Sequence, residues 1–309
     1  MIPNLTPGGV TTFGSGYTMT VTKIKRHNDF SVVWEKEFGL HSSSSQPQKS
    51  VDVAQMIWNG VTLIVVGSTA GSGPAFGESD DENYTHGFVT KIDPNNGRVW
   101  EAGVGSTAKS QVRLSLGGAG AFSDELANTY VMGVCSANRD ATHIYVVGMT
   151  HPPNGGMSAP FLAKMDATTL EQVWLQQLEE ASSNAYGLAC GVDGDHVYMA
   201  GIIEDGGTIA SSTTSQGGDD VFVVQLSDAD AGQQPVVQWI RQVGSSGDDR
   251  LAHGGSGLSV MENDGVFLYG DTSGSLYATA EHPSELFVAH VTLDGTVPST
   301  VEAGATPNS

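Results

Sequence analysis

Basic charge is scarce in this chain: 13 lysines and arginines stand against 34 aspartates and glutamates, for a formal net charge of −21. Phosphate backbones are held by clustered Lys and Arg, so nucleic acid is excluded as a partner. Long hydrophobic runs are also missing. No stretch approaches the roughly 20 apolar residues that cross a bilayer as a helix, so no membrane span is expected. The opening MIPNLTPGG lacks the basic region and apolar core of a signal peptide, so any targeting segment of an exported protein is expected outside this sequence. Only two cysteines are present, with no CxxC or Cys/His spacing for zinc. A G-x-S-x-G elbow, a P-loop and an HExxH pair are absent, which removes the commonest signatures of catalysis, and the nine histidines are scattered.

Aromatic residues make up only 7% of the chain, yet they are ordered. Trp34, Trp100, Trp174 and Trp239 recur in similar settings (SVVWEKEFG, GRVWEAGVG, EQVWLQQL, VVQWIRQVG) at intervals of 66, 74 and 65 residues. Such intervals exceed helical solenoid units and suit one four-stranded sheet with its loops. About ten residues before each tryptophan lies an alternating apolar strand. These strands place Phe88, Phe161, Phe222 and Phe287 in one register, with Lys23, Lys91 and Lys164 at one equivalent place. Period-two alternation rich in Val, Phe and Thr marks β-strands. A further apolar run closes on Gly67, Gly148, Gly201 or Gly270, where glycine is expected to end or bulge the strand through its tolerance of positive φ. Before each of these runs comes a less regular segment, expected to be the innermost strand.

The resulting expectation is an all-β chain, a β-propeller of four-stranded blades. Residues 1–309 form one domain, with a leading half-blade at 9–39 and repeats at 50–104, 128–179, 184–244 and 255–302. The segment GGDDVFVVQLSDADAGQQPVVQWIRQVGSSGDDR, residues 217–250, resembles the SBBP-type (seven-bladed β-propeller) repeat, with its acidic turn, Phe-Val strand, Trp strand and Gly-Asp-Asp turn. The resemblance extends from about Tyr17 to Asp294, although the turn after Trp174 lacks Gly-Asp-Asp and the copies are too few for seven blades. It implies a propeller found in secreted and surface proteins of differing roles. Either about five blades close, with VPSTVEAG completing the N-terminal half, or the chain belongs to a larger propeller, or another copy completes the ring. Similarity to quinoprotein dehydrogenases ends at the tryptophans, because the cysteines are not adjacent and no quinone-binding set can be assembled.

Cys135 and Cys190 fall in innermost segments of successive repeats, where they either bridge, implying an oxidising compartment, or serve as small buried hydrophobes. Asn4 and Asn83 head N-glycosylation sequons. Glu78, Asp80, Asp81 and Glu82 crowd one loop and are the calcium candidates; Asp219–Asp220 and Asp248–Asp249 sit in turns, where paired Asp commonly accepts backbone hydrogen bonds. No other cofactor is expected. The repeating tryptophans are expected to pack between blades, whereas Trp58 breaks the register and is expected at a loop or channel rim. His143 and His196 precede glycine strands as repeat-related polar residues. The functional expectation is a non-enzymatic extracellular or cell-surface structural and interaction module, a building block of a fibre or coat. Its partners are other proteins or copies of itself, reached through loops 68–86, 105–128, 150–159 and 204–220. The alternative is a propeller that binds glycans or acts on polysaccharide.

Overall fold

A computed structural model describes residues 18–24, 31–39, 51–70, 84–99, 111–114, 116, 127–137, 142–152, 155–252, 257–276 and 285–303. Every regular element among them is a β-strand, and every pairing is antiparallel. Sheet 1 is the hairpin β1 (Thr18–Ile24) and β2 (Val32–Gly39). Sheet 2 runs β3 (Val51–Trp58), β4 (Leu63–Ala70), β5 (Thr85–Ile92), β6 (Gln111–Leu114). Sheet 3 holds β7 (Asn128–Cys135), β8 (His143–His151), β9 (Ala159–Asp166) and β10 (Gln172–Gln177). Sheet 4 holds β11 (Ala185–Asp193), β12 (His196–Ile203), β13 (Asp220–Ser227) and β14 (Val236–Val243). In sheet 5 the first strand is split into β15 (Asp249–Leu251) and β16 (Leu258–Met261), both paired with β17 (Gly265–Thr272), followed by β18 (Glu285–Thr292) and β19 (Ser299–Ala303).

Two differences from the sequence reading concern strand ends. The fourth strand of sheet 2 lies beyond the expected boundary at 104, inside the stretch 105–128 assigned to a loop, because an insertion separates it from Val99, which bridges Ile92. The segment VPSTVEAG does not complete sheet 1: its Ser299–Ala303 pairs with β18 and closes sheet 5.

The third strands explain their own composition. β5, β9 and β13 are buried along nearly their whole length, so both faces of each strand are mostly apolar, with Lys91, Lys164 and Gln225 among the buried polar exceptions. Each of four hydrophobic clusters draws on two successive sheets. Phe88 joins Val21 and Trp34 of sheet 1; Phe161 joins Ile64 and Val89 of sheet 2; Phe222 joins Tyr145 and Trp174 of sheet 3; Phe287 joins Tyr198 and Val223 of sheet 4. Thus the repeated phenylalanine faces the preceding sheet, and each fully buried ring contributes about 1.5–3 kcal/mol. The first strands lie side by side: β3 touches β7, β7 touches β11, and β11 touches β16.

The repeated glycines have a different cause from the one expected. Gly67, Gly148, Gly201 and Gly270 are not among the positive-φ glycines. Instead, each stands opposite an irregularity in the first strand, where the register skips between Val53 and Gln55, Val131 and Gly133, and Gly187 and Ala189, and where β15 gives way to β16. The bulge pushes the carbonyl of Asp52, Tyr130, Tyr186 or Arg250 into the space a Cβ would fill. Close backbone approach, not backbone handedness, requires glycine there.

Candidate functional site

The residues that repeat most conspicuously converge on one structural device. Lys23 Nζ donates to the Pro94 carbonyl at 2.8 Å, and Trp34 Nε1 donates to the same oxygen at 3.1 Å. One sheet on, Lys91 Nζ donates to the carbonyls of Ala167 and Thr168. Between sheets 3 and 4, Lys164 Nζ lies 2.7 Å from Asp228 Oδ2 and also donates to the Ala229 carbonyl, while Trp174 Nε1 donates to Asp228 Oδ1 at 3.1 Å. Between sheets 4 and 5, Trp239 Nε1 donates to the Leu293 carbonyl and Arg241 Nε to that of Gly295. In each case the outer strands of one sheet grip the turn joining the third and fourth strands of the next.

Strand alternation makes this possible. Phenylalanine and lysine are three residues apart on the third strand, hence on opposite faces: the ring looks back and the amine forward. The turns being gripped are each held by an aspartate that accepts from the turn's own backbone. Asp93 accepts from Asn95 N, Asp166 from Thr168 N and Thr169 N, and Asp294 from Thr296 N. Gly97, at φ 70°, lets the Trp34 ring lie flush on the first of these turns.

Asp228 is the most heavily bonded carboxylate of the set, accepting from Lys164, Trp174, Tyr145 Oη and Ala229 N. Burial raises its pKa, but the bonds from Lys164, Tyr145 and Ala229 and the Lys164 charge outweigh burial and hold it below the usual carboxylate value. Lys91 is governed by burial, which lowers its pKa to about 8 against the opposing pull of Asp166. Both groups are perturbed as catalytic groups often are, yet each is engaged by turn atoms of the neighbouring sheet.

Trp34 and Trp239 are half-buried and Trp174 is 1% exposed, all between sheets. Trp58 ends β3 and packs, partly buried, on the cluster shared by sheets 1 and 2. His143 and His196 open β8 and β12, at the same place in successive sheets. Cys135 of β7 and Cys190 of β11 form a disulfide with Cα atoms 5.7 Å apart, which links sheets 3 and 4 through their first strands. Trp100, the sequon residues Asn4 and Asn83, and the calcium candidates Glu78, Asp80, Asp81 and Glu82 lie outside the described residues.

The Asp pairs of the Gly-rich turns hold those turns together. Asp248 Oδ1 accepts from Asp219 N, and Arg250 spans Asp219 and Asp248. Asp220 and Asp249 are fully buried; Asp220 accepts from Gln216 N and Gln242, Asp249 from the Ser245 amide and hydroxyl. Burial raises both pKa values. Among the described residues no group of three or more His, Cys, Asp or Glu is placed to hold a metal ion.

A groove of about 820 Å³ runs between β10 and β14, which sequence reasoning missed. Its walls carry Gln176, Gln177, Gln238, Glu179 and Glu180, all on outer strands or their extensions in different repeats. Trp239 borders it, but its indole is committed elsewhere: Nε1 donates to the Leu293 carbonyl of sheet 5, and the ring lies 6.2 Å from the Tyr198 ring and 5.7 Å from the Arg241 guanidinium of its own sheet. The groove therefore offers amides and carboxylates. No helix among the described residues is long and apolar enough to cross a membrane. No family model matches the chain, and no curated protein matches it.

Proposed function

We propose that the five sheets are blades of a β-propeller-type array and that the chain serves as a rigid, non-enzymatic extracellular or cell-surface module, contacting other proteins or copies of itself. The observation that carries this reading is the forward clamp: Lys23, Lys91, Lys164, Trp34, Trp174 and Trp239, the residues whose repetition invites a chemical role, all bond to the next sheet. Repetition is then a property of stacking. The arrangement agrees with what the SBBP-type resemblance implies, and a disulfide across two first strands suits an oxidising compartment. The acidic surface keeps such a module soluble.

The second reading, a glycan-binding propeller, is favoured by the groove, since glutamine amides and the Glu179 and Glu180 carboxylates match the donors and acceptors of sugar hydroxyls. One experiment separates the two. The purified protein is screened on a glycan array and for release of reducing ends from polysaccharides. The module reading expects neither binding nor turnover; binding or turnover lost in Glu179→Gln and Glu180→Gln would replace it with the second.

A further inference from the structure

Asp220 opens β13 in sheet 4 and Asp249 opens β15 in sheet 5, and both are 0% exposed. In each, one oxygen takes the hydrogen bonds. Oδ2 of Asp220 accepts from the Gln216 amide and from Gln242 Nε2, and Oδ2 of Asp249 from the amide and hydroxyl of Ser245. Oδ1 of each is sealed from solvent and has no hydrogen-bond partner. Asp220 Oδ1 packs on Gly244 so closely that a Cβ there would collide with it. The fold itself does not call for acids at these places, since β5 and β9 open with Thr85 and Ala159, and β7 and β11 with Asn128 and Ala185.

Among the described residues the charged groups around this pair are mostly acidic. Asp219 precedes β13 and Asp248 precedes β15, and the basic residue of these turns, Arg250, spans those two from a side chain that is 51% exposed. From β17 come Asp271, opposite Arg250, and Thr272, opposite Asp249; from β18 comes Glu285, opposite Thr272. The neighbours of Asp220 on β12 and β14 are Ile203 and Gln242, both uncharged. Burial raises the pKa of both acids, and the charge of Asp219 on Asp220 and of Asp220 on Asp249 pushes the same way. A carboxylate removed from water without a partner for its charge takes up a proton instead. The pair also sits where the two sheets are joined: Gly218 N donates to the Gly247 carbonyl and Asp249 N to the Asp219 carbonyl, while Ser273 N donates to that of Asp248.

We propose that Asp220 and Asp249 form a protonation latch: a proton on Oδ1 of each keeps the turns of sheets 4 and 5 joined, and loss of those protons as pH rises loosens the junction. The latch does not depend on what the module binds. Its sign follows from where the protons are held. The folded chain binds them more tightly than the unfolded chain, so their contribution is complete below about pH 4, where unfolded aspartate also protonates, and is lost as pH rises through the folded values. Two buried negative charges then face each other across the junction.

The test is a carboxyl-carbon NMR titration of the full chain, with hydrogen exchange followed over the same pH range. Two aspartate resonances are expected to titrate above the range of the rest, one absent from Asp220→Asn and the other from Asp249→Asn. As they titrate, exchange protection should fall in segments 216–220 and 245–249 while β9 keeps its own. Over that interval the urea midpoint of the wild type should fall relative to the variant carrying both substitutions, because an amide keeps the acceptor at Oδ2 and carries no charge. Should that variant fail to fold, the wild-type resonances and exchange decide alone. The proposal is overturned if every aspartate titrates in the ordinary range, or if the two outliers titrate and the turns keep their protection. A midpoint that follows added calcium instead of pH would place a cation at the pair and overturn it as well.

Discussion

Lys164 and Asp228, 64 residues apart and in different sheets, form a 2.7 Å ion pair whose lysine side chain is only 6% exposed. The pair joins the outer half of one repeat to the turn of the next. Tyr145 and Trp174 bond to the same carboxylate, so three side chains of sheet 3 and the Ala229 amide beside Asp228 meet at one side chain. The same contact is made at the other junctions with backbone carbonyls as acceptors.

Gly148→Ala should destabilise the protein by on the order of 2–4 kcal/mol, because the new methyl group collides with the Tyr130 carbonyl and also meets the Phe161 ring. Gly194→Ala is the control. That residue has φ 56° and open space around it, so strain alone should cost about 1–2 kcal/mol. Urea unfolding of both variants checks this, and equal losses would contradict the close-approach explanation.

Reducing the Cys135–Cys190 bridge, which spans 55 residues, should lower stability by about 4 kcal/mol on the loop-entropy model. Intact mass should rise by two hydrogens on reduction under denaturing conditions. An unchanged mass would show the cysteines to be free.

The pH dependence should bear the mark of Lys91. Its pKa is lowered to about 8 in the folded chain from 10.5. Between those values the unfolded chain holds more protons, so stability rises with pH across that window and the gain is absent below it. Relative to Lys91→Met, the wild type should gain on the order of 1–3 kcal/mol on moving from about pH 8 to about pH 10. Parallel urea profiles for the two proteins would show that the amine is not desolvated as described.

Strand-forming segments were legible in the sequence because two-sided burial of the third strand calls for a short, nearly continuous run of β-branched and aromatic residues with Phe in one register. The reason for the repeated glycine was not. It depends on where a bulge in a different strand puts a carbonyl oxygen, and no side chain announces that. The forward clamp was equally hidden: its acceptors are Pro94, Ala167, Thr168, Asp228 and Leu293, mostly backbone oxygens, which leave no common letter in the sequence. The groove escaped because Gln176 and Gln238 belong to separate repeats and each reads alone as an ordinary outer-strand glutamine. The strand β6 escaped because QVRL is four residues long and follows an insertion.

The central claim is that the repeated lysine and tryptophan couple one sheet to the turn of the next. A double-mutant cycle on Lys164→Met and Asp228→Asn, read by urea unfolding, tests it most directly. The account predicts a coupling of about 1–3 kcal/mol, with each single variant clearly destabilised. Additive effects, with a coupling near zero, would contradict it and return these residues to candidacy for a binding role.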